Sequence, residues 1–61
     1  MRQVAKIIHQ GIWTVAEDGD MYRVYYQYHD GYSVHKTIMS KHKSLSQAVR
    51  WIMDTIEGGR W

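Results

Sequence analysis

The sequence predicts an α+β fold, a three-stranded antiparallel β-meander packed on one C-terminal α-helix (βββα). Three observations carry this expectation. Apolar residues alternate with a period of two from about Trp13 to Met39. Two Asp-Gly signals, Asp18-Gly19 and Asp30-Gly31, punctuate that stretch. The period then changes to about 3.6 between Leu45 and Ile56, behind a Ser44 start signal.

Taken in order, Val4 to His9 reads as strand, and Gly11 marks either a bulge in one long strand or the corner of an extra hairpin. The bulge is the reading adopted, giving a strand over about 4–16; a separate strand at Val4–His9 would make the sheet four-stranded. A two-residue loop at Asp18-Gly19 pairs Glu17 with Asp20, Val15 with Tyr22 and Trp13 with Val24, and leads into a strand over about 21–28. For the second hairpin, a three-residue loop His29-Asp30-Gly31 pairs Tyr28 with Tyr32, Tyr26 with Val34 and Tyr22 with Ile38. A two-residue loop there would set Tyr26 opposite His35 and mix apolar with polar residues on both faces. Because a one-residue slip moves every side chain of a strand to the other face, burial favours the segregating register and a strand over about 32–39. The buried face is then Trp13, Val15, Tyr22, Val24, Tyr26, Tyr28, Tyr32, Val34 and Ile38, with Lys36 as an exception whose stem lies along it.

A helix is expected over about 45–57, capped by Ser44 with Gln47 in a capping box and stopped by a left-handed glycine at Gly58-Gly59. Leu45, Ala48, Val49, Ile52, Met53 and Ile56 form its apolar stripe, and Trp51 beside it folds over the sheet edge.

Composition bounds the rest. The whole of 1–61 reads as one domain, and a chain of ~60 residues buries only ~60% of the surface its unfolded form exposes. Hydrophobic residues at 44% and charged ones at 23% exclude a disordered tail. There is no cysteine, hence no disulfide. No apolar run approaches the ~20 residues that span a bilayer, and the N-terminal residues lack a signal-peptide core, so a cytoplasmic location and no membrane partner are expected.

No chemistry announces itself. There is no glycine-rich phosphate loop, no Ser-His-Asp spacing and no nucleophilic cysteine, so an enzyme is not expected, and no catalytic or cofactor-binding residue is assigned. His29, His35 and His42 fall on a turn, a strand and a loop without paired spacing, and no metal site is assigned either.

The outer sheet face has more functional reach. Thr14, Arg23, Tyr25, Gln27, His35 and Thr37 are of types that hydrogen-bond base edges or phosphates, and Lys36, Lys41 and Lys43 lie close in sequence. The strands at 21–28 and 32–39 hold no carboxylate, and the net charge is +2. DNA is therefore the slightly favoured partner. The alternative is a protein-binding inhibitor or adaptor, of the size that phages and plasmids encode. Met21, Met39, Trp51 and Trp61 are its candidate anchors, together with Tyr25. An unpaired strand at 4–9 would also support edge pairing with a partner or a homodimer.

The run Met21-Tyr22-Arg23-Val24-Tyr25-Tyr26, the Asp30-Gly31 turn and the helix opening Leu45-Ser46-Gln47-Ala48-Val49 carry a family resemblance. In this arrangement the chain resembles the N-terminal arm-binding domain of lambda-type tyrosine integrases and, in outline, the plant ethylene-response-factor DNA-binding domain. The resemblance implies that the outer sheet face lies in the major groove. It carries over no individual residue, and this chain departs from those families in being less basic and in its extra N-terminal strand segment.

Overall fold

A computed structural model describes residues 2–58. The chain forms β1 (Arg2–Ile8), β2 (Ile12–Asp18), β3 (Met21–His29), β4 (Val34–His42) and α1 (Leu45–Glu57). The strands make one antiparallel sheet in the order β1-β2-β3-β4, with the helix on one face. The α+β class holds, with four strands rather than three.

The long bent strand over 4–16 is replaced by a hairpin. His9, Gln10 and Gly11 form its loop, with Gln10 at φ 52 and Gly11 at φ 136. The turn is held from both sides: the His9 N–H donates to the Gly11 carbonyl (3.0 Å), and the Tyr26 hydroxyl donates to the Gln10 carbonyl. A Cβ at Gly11 would stand 2.6 Å from the Tyr26 hydroxyl oxygen, so only glycine lets the loop close against that ring. The irregularity of β1 lies instead at Val4, between the pairs Gln3–Ala16 and Ala5–Val15.

The β2–β3 loop is Gly19-Asp20, one residue later than expected, since Asp18 pairs with Met21 and Val15 with Val24. Gly19 has φ 64, whereas Asp20 does not enter the positive-φ region. A two-residue turn needing left-handed backbone only at its first position places glycine there, and Asp18 escapes that strain. The slip moves the pairing by two residues in sum, so the faces of β2 and β3 are unchanged.

The β3–β4 register differs from both expectations. His29 pairs with Val34, Tyr28 with His35 and Tyr26 with Thr37, leaving a four-residue loop over 30–33. Asp30 makes this loop: its Oδ1 accepts from the Tyr32 and Ser33 amides, both at 2.9 Å, and its own amide donates to the Ser33 carbonyl. This local satisfaction outweighs the segregation of apolar residues, with two consequences. Val34, Lys36 and Ile38 turn to the outer face, while His35 and Thr37 turn to the helix side. Tyr32 leaves the sheet altogether and is 97% exposed. A bulge at Met39, between the pairs Tyr25–Ile38 and Val24–Ser40, then tucks Met39 against the core and returns Lys41 to the outer face opposite Arg23.

The core is Trp13, Val15, Val24 and Tyr26 of the sheet against Ala48 and Ile52 of α1. Ser44 Oγ accepts from the Gln47 amide at 3.2 Å and caps the helix. At the other end Gly58 is right-handed (φ −72), its amide bonded to the Asp54 carbonyl at 2.8 Å, which corrects the expected left-handed cap. Gly59 lies outside the described residues. The buried stripe is also rotated: Ala48, Ile52 and Thr55 are inside, while Leu45 and Met53 are exposed. Thr55 buries at little cost because its hydroxyl donates to the Trp51 carbonyl (2.8 Å). Trp51 meets Trp13 edge-on, with centroids 6.3 Å apart, and packs at the border of the core. No helix among the described residues is long and apolar enough to cross a membrane.

Candidate functional site

Strand pairing arranges the middle of the outer face in three cross-strand rows, flanked by the pair Asp18–Met21 at one end and His29–Val34 at the other. The rows read Gln3–Ala16–Arg23–Lys41, Lys6–Thr14–Tyr25–Ile38 and Ile8–Ile12–Gln27–Lys36. Four cations, Lys6, Arg23, Lys36 and Lys41, stand in the three central rows, and the end row adds one carboxylate, Asp18. Side chains alternate between faces along each strand, so the helix side takes the complementary set.

Asp18 belongs to this face, continuing the alternation of Ile12, Thr14 and Ala16. Its Oδ2 lies 2.6 Å from an Arg23 nitrogen, with both side chains partly exposed. A hydrogen bond with the Tyr25 side chain, and after it the Asp18 carboxylate, hold the Arg23 guanidinium above its usual range. Lys36 extends its ammonium over the Tyr25 ring, 4.9 Å from the centroid. Tyr25 therefore organises two of the four cations.

The small residues of β2 shape the surface. Ala16 and Thr14 are buried, and with Gln3, Tyr25 and Lys36 they line an open trough of about 380 Å³. Thr14 lines the trough and is only 9% exposed.

Of the candidate residues, Thr14, Arg23, Tyr25, Gln27, Lys36 and Lys41 share this face. His35 and Thr37 do not, because the loop over 30–33 places them on the other side. Lys43 is exposed in the link between β4 and α1, beyond the rows. Among the alternative anchors, Met39 and Trp51 are packed against the core, Met21 is half-buried at the start of β3, and Trp61 lies outside the described residues. Pattern reasoning placed Ile12 at the margin of this face but did not single out Gln3, Lys6 or Ile8 as surface members. The alternation Lys6–Ile8 was the available signal, but without a separate β1 it had no face to belong to.

His35 gathers the residue types of a hydrolase triad at the β3–β4 loop. Asp30 Oδ2 lies 2.7 Å from His35 Nε2, and Ser33 Oγ lies 3.2 Å from the same nitrogen. A relay needs the acid and the nucleophile on different ring nitrogens. Here both crowd one nitrogen, and the ring stacks on Tyr28 with centroids 4.9 Å apart, so the cluster braces a loop. Two backbone amides and then His35 hold the Asp30 carboxyl below its ordinary range. Among the described residues, no group of three or more His, Asp or Glu side chains is placed to hold a metal ion.

Comparison with protein-family models, with curated proteins and with solved structures found no match.

Proposed function

We propose that this chain is a small, cytoplasmic, non-enzymatic regulatory protein that binds duplex DNA through the outer face of its sheet. The observation that carries the reading is the excess of cations on that face, Lys6, Arg23, Lys36 and Lys41 against the one carboxylate of Asp18. The β3–β4 register strengthens it, since Lys36 and Lys41 replace His35 and Thr37 on that face. Geometry is compatible as well. Strands lie ~4.8 Å apart, so β2, β3 and β4 span roughly 10 Å, which suits a major groove ~12 Å wide, and β1 would rest at the groove wall. The resemblance to integrase arm-binding domains points the same way.

The test is duplex binding across a salt series. With three or four phosphates neutralised, log affinity should fall with log salt at a slope of about −3 to −4, at ~0.9 per phosphate. Arg23→Ala and Lys41→Ala should each reduce that slope by roughly 1, and Gln27→Ala should relax sequence preference at unchanged slope. Duplexes not retained at low salt would refute the proposal.

A second reading, a protein-binding inhibitor or adaptor, rests on the exposure of Ile8 (75%), Val34 and Ile38 on the same face. A pull-down from the native host, with and without nuclease, separates the two. A stoichiometric protein that survives nuclease, with shallow salt dependence, supports the second reading.

A further inference from the structure

Phosphate contacts leave one feature of the outer face unexplained. Gln27 stands among aliphatic side chains: Ile12 is its direct neighbour on β2, and on β4 Val34 and Ile38 flank its other neighbour, Lys36. Val34 is 58% exposed and Ile38 44% exposed, and both face outward beside lysines. In a major groove the one apolar group that a base pair offers is the thymine methyl, and a glutamine amide bonds bidentately to adenine N6 and N7. Both kinds of side chain around Gln27 thus select the same base pair.

Building on the DNA reading above, we propose that Gln27 reads adenine while Ile12 and Ile38 cover methyl groups of flanking thymines, so that the recognised site has an A·T core. Ile12 and Ile38 are two strands and two residues apart, a diagonal of roughly 12 Å from strand spacing and rise. At ~3.4 Å per base step this spans about four base pairs. Arg23 and Lys41, at the other end of the rows, hold phosphates beside that core.

The experiment is selection from randomised duplexes by the full chain at low salt, followed by replacement of thymine with uracil in the selected site. The selected duplexes should share a run of about four A·T pairs. Uracil, which lacks only the methyl, should weaken binding by roughly fourfold per contacted thymine at unchanged salt slope. Ile38→Ala should bind the thymine duplex and the duplex with uracil at its contacted position equally well, and Gln27→Ala should lose at least ~fivefold together with the adenine preference. Circular dichroism of each variant confirms that the sheet is intact. Duplexes bound with the expected salt slope but enriched in G·C, or indifferent to uracil, would overturn this inference and leave the DNA reading standing. Duplexes not retained at all would remove both.

Discussion

Ile52→Ala tests the core and the orientation of the helix together. Ile52 is fully buried against the sheet, where Trp13, Val15 and Val24 are also fully buried. Removing the side chain beyond Cβ forfeits about 2.4 kcal/mol of transfer free energy, at ~0.8 per CH₂. The facing residues belong to paired strands and collapse only partly into the space, so a cavity contribution brings the expected loss to about 3–4 kcal/mol, within the ~2–5 seen for such truncations. At ~0.05–0.15 kcal/mol per residue, a chain of 61 residues has about 3–9 kcal/mol in total. The variant should therefore lose from about a third to all of its stability. The assay is urea denaturation followed by far-ultraviolet circular dichroism and tryptophan fluorescence, at an m-value of ~1 kcal/mol/M. Ile52→Val should cost only ~0.5–1.5 kcal/mol and stays measurable if the alanine variant does not fold. Arg50→Ala is the control: its ion pair with Asp54, at 3.9 Å between well-exposed side chains, is worth at most ~0.5 kcal/mol. Equal losses for Ile52→Ala and Arg50→Ala would refute the helix orientation.

Three further outcomes are expected. Gly11→Ala should destabilise by at least ~1–3 kcal/mol, because φ 136 is closed to alanine and the new Cβ would meet the Tyr26 hydroxyl; an unchanged thermal midpoint would contradict the loop geometry. The depressed Asp30 carboxyl contributes stability that is present above its unfolded value of 3.8 and is lost as the pH falls through the lower folded value. Asp30→Asn keeps the acceptor oxygen but removes the charge, so its urea midpoint should lie below the wild-type one at about pH 5 and approach it in stronger acid; a gap constant with pH would count against the Asp30 network. The unpaired edge of β1 predicts association through Arg2–Ile8, and sedimentation equilibrium at micromolar concentration should show more than the 7.3 kDa monomer, whereas a clean monomer removes the idea.

The parts of the fold legible from sequence are those where one period runs unbroken. Trp13, Val15, Val24 and Tyr26 were readable as one face because the slipped Gly19 turn preserves parity. On β4 that logic failed twice within a few residues, at the Asp30 loop and at the Met39 bulge. Each is a local event that reverses alternation without altering composition, and the first is driven by hydrogen bonds that a hydropathy pattern does not record. Thr55 shows the same limit on the helix, since a polar residue can take a core position once its hydroxyl is satisfied within its own turn. The candidate surface inherits these errors: Arg23, Tyr25 and Gln27 were placed by β3 alone, whereas His35, Thr37 and Lys36 depended on a register that pattern could not supply.

The meander also shapes how the chain is assembled. Each strand pairs with its neighbour in sequence, and the connecting loops are only 9–11, 19–20 and 30–33. Closing such short loops costs little chain entropy, so each hairpin can form as soon as its second strand is available. The helix is different: it comes last and must fold back across β4 and β3 to reach β2. During synthesis from the N-terminus, Trp13, Val15 and Val24 are therefore the first part of the core to be made and the last to be covered. The period of greatest danger for aggregation is the interval between completion of β4 and docking of α1. A substitution that weakens the helix, even one mild at equilibrium, should show itself first as a loss of soluble yield.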